Sequence, residues 1–454
     1  MSDYMKTEIL LPTGAVASRK PVDMDAVYRK ITGRLVPLLF LCYLTAYVDR
    51  NNIGLAKLQM QTSLGFSDAA YGLAASMFFI GVLLFEIPSN LMLRRVGARK
   101  TMLRIMVLWG VTSSATLFVK TPAQFYVVRF LLGAFEAGFF PGVILYLTFW
   151  YPPERRARVV ALFMTAAVAA SLITGPVSGW ILKALHGPYG LDGWQWLMLL
   201  EGMPSVVLGV AVFFVLPERP SEASWLTPAE RDAVLRDLQR GAGPSVPMQS
   251  VGRVFRDPLV YVLGFATFTL GCAANFITFW LPSIIKDLGV TDLQHVGLYA
   301  TIPSLIGTVA MVAYGRHSDR HQERRLHFIG AAGVGVAGLC AITWAHDSLG
   351  WSLAAAVVAT CGIVCAYPIF WAMATRYLSR DAAPAGIALI SSLGALSGTS
   401  SALVGAIKAQ SGSLDHAMYL IAAQLILGIL MLTFFMPHAQ RDTATLNIAA
   451  REMP

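Results

Sequence analysis

The 454-residue sequence predicts an all-α polytopic membrane protein, with twelve transmembrane helices arranged as two pseudo-symmetric halves of six. Hydrophobic residues make up 56% of the chain and charged residues 13%, compared with roughly 45–50% and 25% in soluble domains. The mean hydropathy is +0.60. Twelve apolar runs approach the length of about 20 residues that crosses a bilayer core, and a basic pattern recurs half a chain apart.

The apolar runs define five segments of the chain. We expect a polar segment at 1–34, six spans within 35–216, a linker at 217–257, six spans within 258–436 and a tail at 437–454. The predicted spans cover about 35–57, 71–93, 101–119, 123–147, 157–183, 194–216, 258–285, 296–315, 328–345, 351–375, 384–408 and 415–436. Within the linker, TPAERDAVLRDLQR predicts a short amphipathic helix capped by Thr227.

The distribution of basic residues predicts the orientation in the membrane. Arg50 and Arg129 lie within spans, and one alternating set of loops contains five lysines, whereas the remaining 28 of the 35 Lys and Arg residues lie on the other side. Because basic residues are retained in the cytoplasm, we expect both termini there and a multi-pass inner-membrane location. The five lysines are Lys57, Lys120, Lys183, Lys286 and Lys408.

The loops after spans 2 and 8 indicate a tandem repeat. NLMLRRVGARK from Asn90 aligns without gaps with GRHSDRHQERR from Gly315, at an offset close to half the chain. Parallel repeats of this kind are typical of transporters whose substrate site lies between the two halves. The aligned basic residues are Arg95 with Arg320, Arg99 with Arg324 and Lys100 with Arg325.

Four ionisable residues lie deep within spans of the first half. Asp49 and Arg50 belong to span 1, and Arg129 and Glu136 to span 4. An ionisable residue in a span costs roughly 2.5–3.5 kcal/mol on insertion scales, so each is a functional candidate. Arg129 and Glu136 are seven residues apart and therefore share a helical face.

Two interpretations of these four residues are open. They could be structural ion pairs that only hold helices together, joining Asp49 to Arg129 or Arg50 to Glu136. Alternatively, a substrate anion could compete with a carboxylate for an arginine and so free the carboxylate to bind a proton. Arginine suits the anion because its planar guanidinium matches a carboxylate with two parallel hydrogen bonds.

Other polar residues within spans give weaker signals. Glu86 and Glu201 lie near predicted span ends, where anchoring of helices to loops is the simpler role. Residues of the second half that could either line a pocket or pack in the core are Asn275, Thr278, Trp280, Tyr367, Trp371 and Thr375.

Several other functional classes are disfavoured. The net charge of +9 does not indicate nucleic-acid binding, because the basic residues lie in loops between apolar runs. The sequence contains no phosphate-binding loop motif, so nothing indicates ATP as the energy source, and we expect no cofactor. His317 and His321 are one helical turn apart, but they lie in an exposed basic loop, so we expect no metal there. A membrane sensor or an intramembrane enzyme remains a remote alternative.

The motifs together resemble the anion:cation symporter family of the major facilitator superfamily, which includes tartrate, phthalate and galactonate transporters. The resemblance covers nearly the whole chain, and its main motifs are YVDRNNIGLAK, FFIGVLLFEIPSN, RFLLGAFEAGFFPG, TFWLPSIIK, YGRHSDRHQERR, FWAMATRYLS and AGIALISSLG. It implies that Asp49 and Glu136 are protonatable carboxylates and that Arg50 binds the substrate carboxylate. It also implies that Arg129 pairs with the acid of span 1.

The same resemblance places Tyr47 and Trp371 in the pocket and reveals departures from the family pattern. Val82 stands where relatives commonly have Tyr, and Ser391 and Ala395 stand where they have Asn. These changes remove hydrogen-bonding groups, so a less hydroxylated or more aromatic acid becomes the better candidate substrate.

The loop motif departs in the first half only, where Arg94 replaces the aspartate that Asp319 retains in the second half. We expect the following residues to form the cytoplasmic gate motif: Arg95, Arg99, Asp319, Arg320 and Arg324.

The sequence therefore predicts a monomeric transporter, not an enzyme, that imports a small organic carboxylate together with protons by alternating access. Tartrate or another dicarboxylate, a sugar acid and an aromatic acid are all candidate substrates. Exchange or facilitated diffusion without proton coupling is the alternative. We expect Asp49 and Glu136 to couple protons, and the predicted substrate contacts are Tyr47, Arg50, Arg129, Asn275, Thr278, Trp371 and Ser391.

Overall fold

The structure is a computed structural model that describes residues 22–240, 252, 254–321, 323–345, 348–378 and 383–436. Within these ranges the secondary structure is helical and contains no strand. Twelve helical segments of this described part are long and apolar enough to cross a membrane. The fold prediction is therefore confirmed, whereas the tail at 437–454 lies outside the described residues.

The first half contains spans 1 to 6, which alternate in direction across the membrane. They are span 1 (α1, Met24–Asn51, and α2, Ile53–Leu64), span 2 (α3, Asp68–Val96), span 3 (α4, Ala98–Ala115), span 4 (α5, Pro122–Glu136, and α6, Phe139–Thr148), span 5 (α7, Pro153–Ala184) and span 6 (α8, Gly193–Val215).

The linker helix and spans 7 to 12 follow. They are the linker helix (α9, Pro228–Arg240), span 7 (α10, Pro258–Asp287), span 8 (α11, Leu293–His321), span 9 (α12, Arg325–Thr343), span 10 (α13, Leu349–Tyr377), span 11 (α14, Ala383–Ala395, and α15, Ser400–Ser411) and span 12 (α16, Asp415–Phe435). We call the membrane side that carries α9 the linker side and the opposite side the far side.

Span 1 is longer than hydropathy predicts. Its first helix begins at Met24 rather than near residue 35, because Asp23 caps it by accepting hydrogen bonds from the backbone N–H groups of Asp25 and Ala26 at 3.0 and 3.2 Å. The helix also continues past the predicted end to Leu64, before the left-handed Gly65. Part of the predicted N-terminal segment is therefore a helical extension of span 1.

The linker helix forms where the sequence predicts it and is tied to span 1. Thr227 caps it by accepting from the backbone N–H of Glu230 at 3.3 Å, and Glu230 accepts from the N–H of Thr227 at 2.7 Å. Glu230 also pairs with Lys30 at 2.9 Å. The hydrogen bond from the Thr227 backbone, together with Lys30, lowers the pKa of Glu230.

Glycines allow the two halves to pack closely. Span 5 crosses span 8 where a Cβ on Gly175 would lie 2.3 Å from the carbonyl oxygen of Gly297. Span 2 crosses span 11 where a Cβ on Gly72 would lie 2.3 Å from the carbonyl oxygen of Ser401. Only residues without a side chain permit these backbone contacts.

Polar contacts between the halves lie toward the far side. Lys183 of span 5 binds Asp292, before span 8, at 2.5 Å, and this bond lowers the pKa of Asp292. Lys286 of span 7 donates to the carbonyl of Leu58 in span 1 at 3.0 Å, and Ser76 of span 2 donates to a carbonyl of span 11 at 3.0 Å. Among the described residues, these bonds thus hold the two halves together on the far side.

Within the first half, Gly133 gives a direct test of helix packing. A Cβ at this position would lie 1.9 Å from the carbonyl oxygen of Phe78. We expect Gly133→Ala to lower the apparent melting temperature of the detergent-solubilised protein, because overpacking costs about 1–3 kcal/mol. Gly333→Ala is the matched control, since nothing lies within 4 Å of its Cβ position. Equal melting temperatures for the two variants would contradict this packing.

Candidate functional site

The four ionisable residues of the first half converge at one place in the helical bundle. We call Asp49, Arg50, Arg129 and Glu136 the charged cluster. Asp49, Arg129 and Glu136 are buried, with 1, 2 and 5% of their surface exposed. Arg50 is different, because 27% of its side chain remains exposed. Arg50 is therefore the most accessible member of the cluster.

Arg50 and Glu136 form a direct ion pair that joins span 1 to span 4. Nη2 of Arg50 donates a hydrogen bond to Oε1 of Glu136. The guanidinium carbon of Arg50 also lies 5.0 Å from the ring centre of Tyr47 and 5.3 Å from that of Phe78. These rings orient the guanidinium by cation–π contact. Of the two predicted structural pairs, this one is present.

The predicted pair between Asp49 and Arg129 is absent among the described contacts. Asp49 instead accepts a hydrogen bond from Ser113 of span 3 through Oδ1. Arg129 lies over the ring of Phe78, with its guanidinium carbon 5.0 Å from the ring centre. Both arginines therefore contact Phe78, and Arg129 balances the charge of the cluster without a direct bond to Asp49.

The cluster retains unused hydrogen-bonding capacity. In the described part of the chain, Oδ2 of Asp49 and Oε2 of Glu136 have no hydrogen-bond partner, although both are buried. The same holds for Nε of Arg50 and for Nε and Nη2 of Arg129. Buried polar atoms normally have partners, so such atoms mark a place for protons, water or a ligand.

A break in span 4 positions Glu136. This residue ends α5, and the chain resumes its helix only at Phe139, after Gly138 adopts a left-handed φ of +85°. A Cβ on Gly138 would also lie 2.6 Å from Oγ of Ser89. Both the left-handed backbone and the lack of space therefore favour glycine at this position. Broken helices at membrane depth are tolerated where they are buried in protein or line a cavity.

Aromatic side chains surround Tyr47. The ring of Tyr43 meets that of Tyr47 edge-on at 4.9 Å, and its hydroxyl donates to the Tyr47 hydroxyl at 3.4 Å. Tyr43 also stacks on Phe163 of span 5 at 4.4 Å. Tyr43 and Phe163 are buried in these contacts, so aromatic packing joins span 1 to span 5 beside Arg50.

The predicted pocket residues of the second half remain separate from the charged cluster in the recorded contacts. Asn275 donates to Oγ of Ser397 at 3.2 Å and so joins span 7 to span 11. Thr278 donates to a carbonyl of its own helix, and Ser391 is exposed. Trp371 is half-buried and meets Phe370 edge-on at 5.4 Å. Their role as substrate contacts stays a prediction.

The predicted gate-motif residues lie on the linker side, and one of them, Arg99, joins two spans. Arg99 donates through Nε to the carbonyl of Phe213 at 3.0 Å, which joins span 3 to span 6. In the second half it is Arg325 that makes the matching bond, to the carbonyl of Thr433 in span 12. The contacts therefore relate Arg99 to Arg325, one residue beyond the Arg324 of the gapless alignment.

The other gate residues occupy the surface or the loop itself. Arg324 pairs with Asp319 at 2.6 Å. Arg95 and Arg320 are exposed on the linker side. Their part in gating stays a prediction.

A buried lysine on the far side is the main site feature that the sequence reasoning missed. Nζ of Lys57 lies 2.6 Å from Asp68, 3.0 Å from Oγ of Ser283 and 3.8 Å from the ring centre of Trp280. The last two belong to span 7, so Lys57 joins the halves. Trp280 is fully buried in this contact. We call these four residues the far-side latch.

A model of the Major Facilitator Superfamily matches residues 39–402 and 291–449. The chain belongs to the major facilitator superfamily. It is 43% identical over 407 residues to a proposed metabolite transport protein, NicT, of Pseudomonas putida, covering 88% of this chain and 92% of the relative. It is 42% identical over 412 residues to a proposed tartrate transporter of Agrobacterium vitis, covering 90 and 91%.

Among solved structures, the xylose transporter XylE of E. coli in an inward open conformation matches with a TM-score of 0.72, covering 93% of this chain and 99% of XylE. At 14% identity this likeness shows the fold alone. As a member of this superfamily the chain is a multi-pass membrane transporter and not an enzyme. The resemblance to organic anion transporters is likewise confirmed by the relatives.

The Arg50–Glu136 pair predicts non-additive effects on stability. We expect Arg50→Met and Glu136→Gln each to lower the apparent melting temperature, and the double variant to lose less than the sum. Removing one partner of a buried pair leaves an uncompensated charge, at about 3–5 kcal/mol, whereas removing both does not.

Lys30→Met and Glu230→Gln provide the matched control cycle on the linker side. That pair is partly exposed, at 35 and 20% of the two side chains, so its coupling should be under about 1 kcal/mol. Thermal unfolding of the six variants in detergent measures both cycles. Additive losses for Arg50 and Glu136 would mean that their contact contributes no coupling.

Proposed function

We propose that this protein is a proton-coupled symporter that imports a small organic carboxylate. The observation that carries the proposal is the ion pair between Arg50, whose side chain is partly exposed, and Glu136, which is buried. An incoming carboxylate binds the accessible guanidinium and competes with Glu136. The pair therefore links the arrival of an anion to the release of an internal carboxylate.

The released carboxylate gives the site its coupling. Glu136 without Arg50 is a buried negative charge, and burial of an unpaired charge is costly, so the group binds a proton. Its second oxygen, Oε2, has no partner among the described residues and can accept that proton. Asp49, which is held by Ser113 and likewise has one open oxygen, is the second proton site.

The surroundings of Arg50 support a substrate with a flat or weakly hydroxylated body. Tyr47 and Phe78 lie against the guanidinium, and Tyr43 extends the aromatic surface. Val82 of span 2 offers no hydrogen bond. The relatives named for tartrate transport support a small dicarboxylate, whereas these side chains favour an aromatic acid.

Alternating access then requires the far-side latch to open. In the present conformation Lys57 and its partners hold span 1 against span 7. We propose that the substrate enters when this contact is broken and leaves when the linker side opens. The orientation predicted from the basic residues makes the linker side cytoplasmic, so transport proceeds inward down the proton gradient, and the carrier functions as a monomer.

Uptake into proteoliposomes tests the coupling. Purified protein is reconstituted, an inward pH gradient is imposed, and accumulation of labelled tartrate and benzoate is measured. We expect the gradient to drive accumulation in the wild type. Glu136→Gln should lose gradient-driven accumulation at least tenfold while retaining exchange of internal for external substrate, because the glutamine cannot exchange a proton.

Glu86→Gln serves as the control, since Glu86 is a carboxylate of span 2 that lies outside the charged cluster. It should accumulate substrate as the wild type does. Accumulation that ignores the gradient, or a Glu136→Gln variant that concentrates substrate normally, would favour an exchanger or facilitator in which the acids are structural.

The far-side latch predicts a shift in conformation. We expect Lys57→Met to open the far side, because it removes the ion pair with Asp68 and the cation–π contact with Trp280. Spin labels at Ser63 and Ser411, which are exposed far-side positions in the two halves, should move to longer distances in double electron–electron resonance. Lys120→Met, at an exposed far-side lysine, is the control, and a distribution identical to that control would exclude the latch.

A further inference from the structure

Three histidines meet on the linker side, away from the charged cluster. His317 and His321 are one turn apart at the end of span 8, and His327 lies in the first turn of span 9. Their nearest ring nitrogens all lie within 4.8 Å of one another. The sequence predicted no metal at the first two, because they lie in an exposed basic loop, and it gave no sign that His327 lies beside them. The fold adds this third ligand from another helix.

The spacing of the ring nitrogens suits a tetrahedral ion. Nδ1 of His317 lies 2.9 Å from Nε2 of His327. Two nitrogens bound to one tetrahedral zinc at about 2.0–2.1 Å are about 3.4 Å apart. The distance between these two nitrogens would therefore have to increase by only a few tenths of an ångström for both to bind the ion. The ring centres of His317 and His321 are 4.2 Å apart, so the third ring is adjacent.

Two of the histidines are oriented by hydrogen bonds to their other nitrogen. Oε2 of Glu323 lies 2.9 Å from Nδ1 of His327, which leaves Nε2 of that ring for a ligand. Glu323 is itself held, because it accepts from the backbone N–H groups of Leu326 at 2.7 Å and His327 at 3.1 Å. Nδ1 of His321 lies 2.9 Å from the carbonyl oxygen of His317. Carboxylates and carbonyls in these positions are typical orienting partners of metal-binding histidines.

The arginines of the loop between spans 8 and 9 repel a bound cation less than their number suggests. Arg324 is neutralised by Asp319 at 2.6 Å and also donates to Ser318 at 3.3 Å. Arg325 is directed to the carbonyl of Thr433 in span 12. Arg316 and Arg320 are exposed, and water and salt screen them. Glu323 contributes a negative charge beside the three rings.

We propose that His317, His321 and His327 bind one zinc ion, with water as the fourth ligand and Glu323 as the residue that orients His327. Imidazole ligands and a tetrahedral arrangement favour zinc over magnesium or calcium. The ion fastens the end of span 8 to the start of span 9. It therefore stiffens the linker-side loop of the second half and acts independently of the anion site.

Metal binding to the full chain tests this site. The protein is purified in detergent through a tag that contains no histidine, stripped with EDTA and titrated with zinc against a fluorescent competitor. We expect one equivalent per chain in the wild type. His321→Gln and His327→Gln should each weaken binding at least tenfold, and Glu323→Gln by about 10- to 100-fold through loss of the orienting bond.

Two controls separate the site from general binding and from misfolding. His295→Gln removes an exposed histidine next to Asp292 on the far side and should leave the affinity unchanged. Thermal unfolding without zinc should be the same for the histidine variants and the wild type, and zinc should raise the melting temperature of the wild type and His295→Gln more than that of His321→Gln or His327→Gln. Titration with Co²⁺ should give the intense visible absorption of a tetrahedral site.

Equal zinc affinity in the wild type and the double variant His321→Gln/His327→Gln would overturn the proposal, as would a weak octahedral cobalt spectrum. Because the readouts are metal affinity and absorption, they are independent of whether the carrier couples protons. Failure of the zinc site therefore leaves the transport proposal standing, and failure of proton coupling leaves the zinc site standing.

Discussion

The ion pair between Arg50 and Glu136 is the interaction on which the site depends. A lone charge at this depth would be too costly, so each residue requires the other, and the buried Asp49 and Arg129 beside them likewise balance in charge. The pair also connects span 1 to the broken span 4. The same contact thus sets the charge balance of the site and the position of the two helices. A ligand that changes the charge balance therefore also acts on the position of the helices.

The packing of the bundle explains how such a disturbance can reach the membrane surface. The halves meet through glycine-lined crossings of spans 2 with 11 and 5 with 8, where backbones lie almost in contact. Few side chains intervene at these crossings. The far-side latch, by contrast, is a specific polar contact centred on Lys57, and it distinguishes one end of the crossing from the other.

Much of the fold could be predicted from the sequence because the bilayer imposes one simple rule on length and polarity. Twelve apolar runs became twelve spans, and the capped linker helix formed as expected. The errors occurred where local chemistry overrides hydropathy. Asp23 extends span 1 toward the linker side, and the left-handed Gly138 divides a run that hydropathy predicts as one continuous span.

The charged residues of the site could be predicted from the sequence, but the uncharged residues that contact them could not. Burial cost identified Asp49, Arg50, Arg129 and Glu136, yet the contacts of Ser113 and Phe78 depend on how helices rotate about their axes. Ser113 and Phe78 are ordinary residues of apolar runs, and nothing in their spacing marks them. For the same reason the sequence did not predict that His327 lies beside His317. The gapless alignment also matched Arg99 with Arg324, one residue before Arg325, which makes the equivalent bond.

The attachment of the linker helix to span 1 has a consequence for how the carrier is assembled. Because Lys30 and Tyr28 hold α9 through Glu230 and Asp237, that helix moves with the first half. Just before span 7 the chain is packed again at Val254, which has 3% of its surface exposed. In the described part of the chain, α9 is therefore a structural part of the first half and not a free connector between the halves.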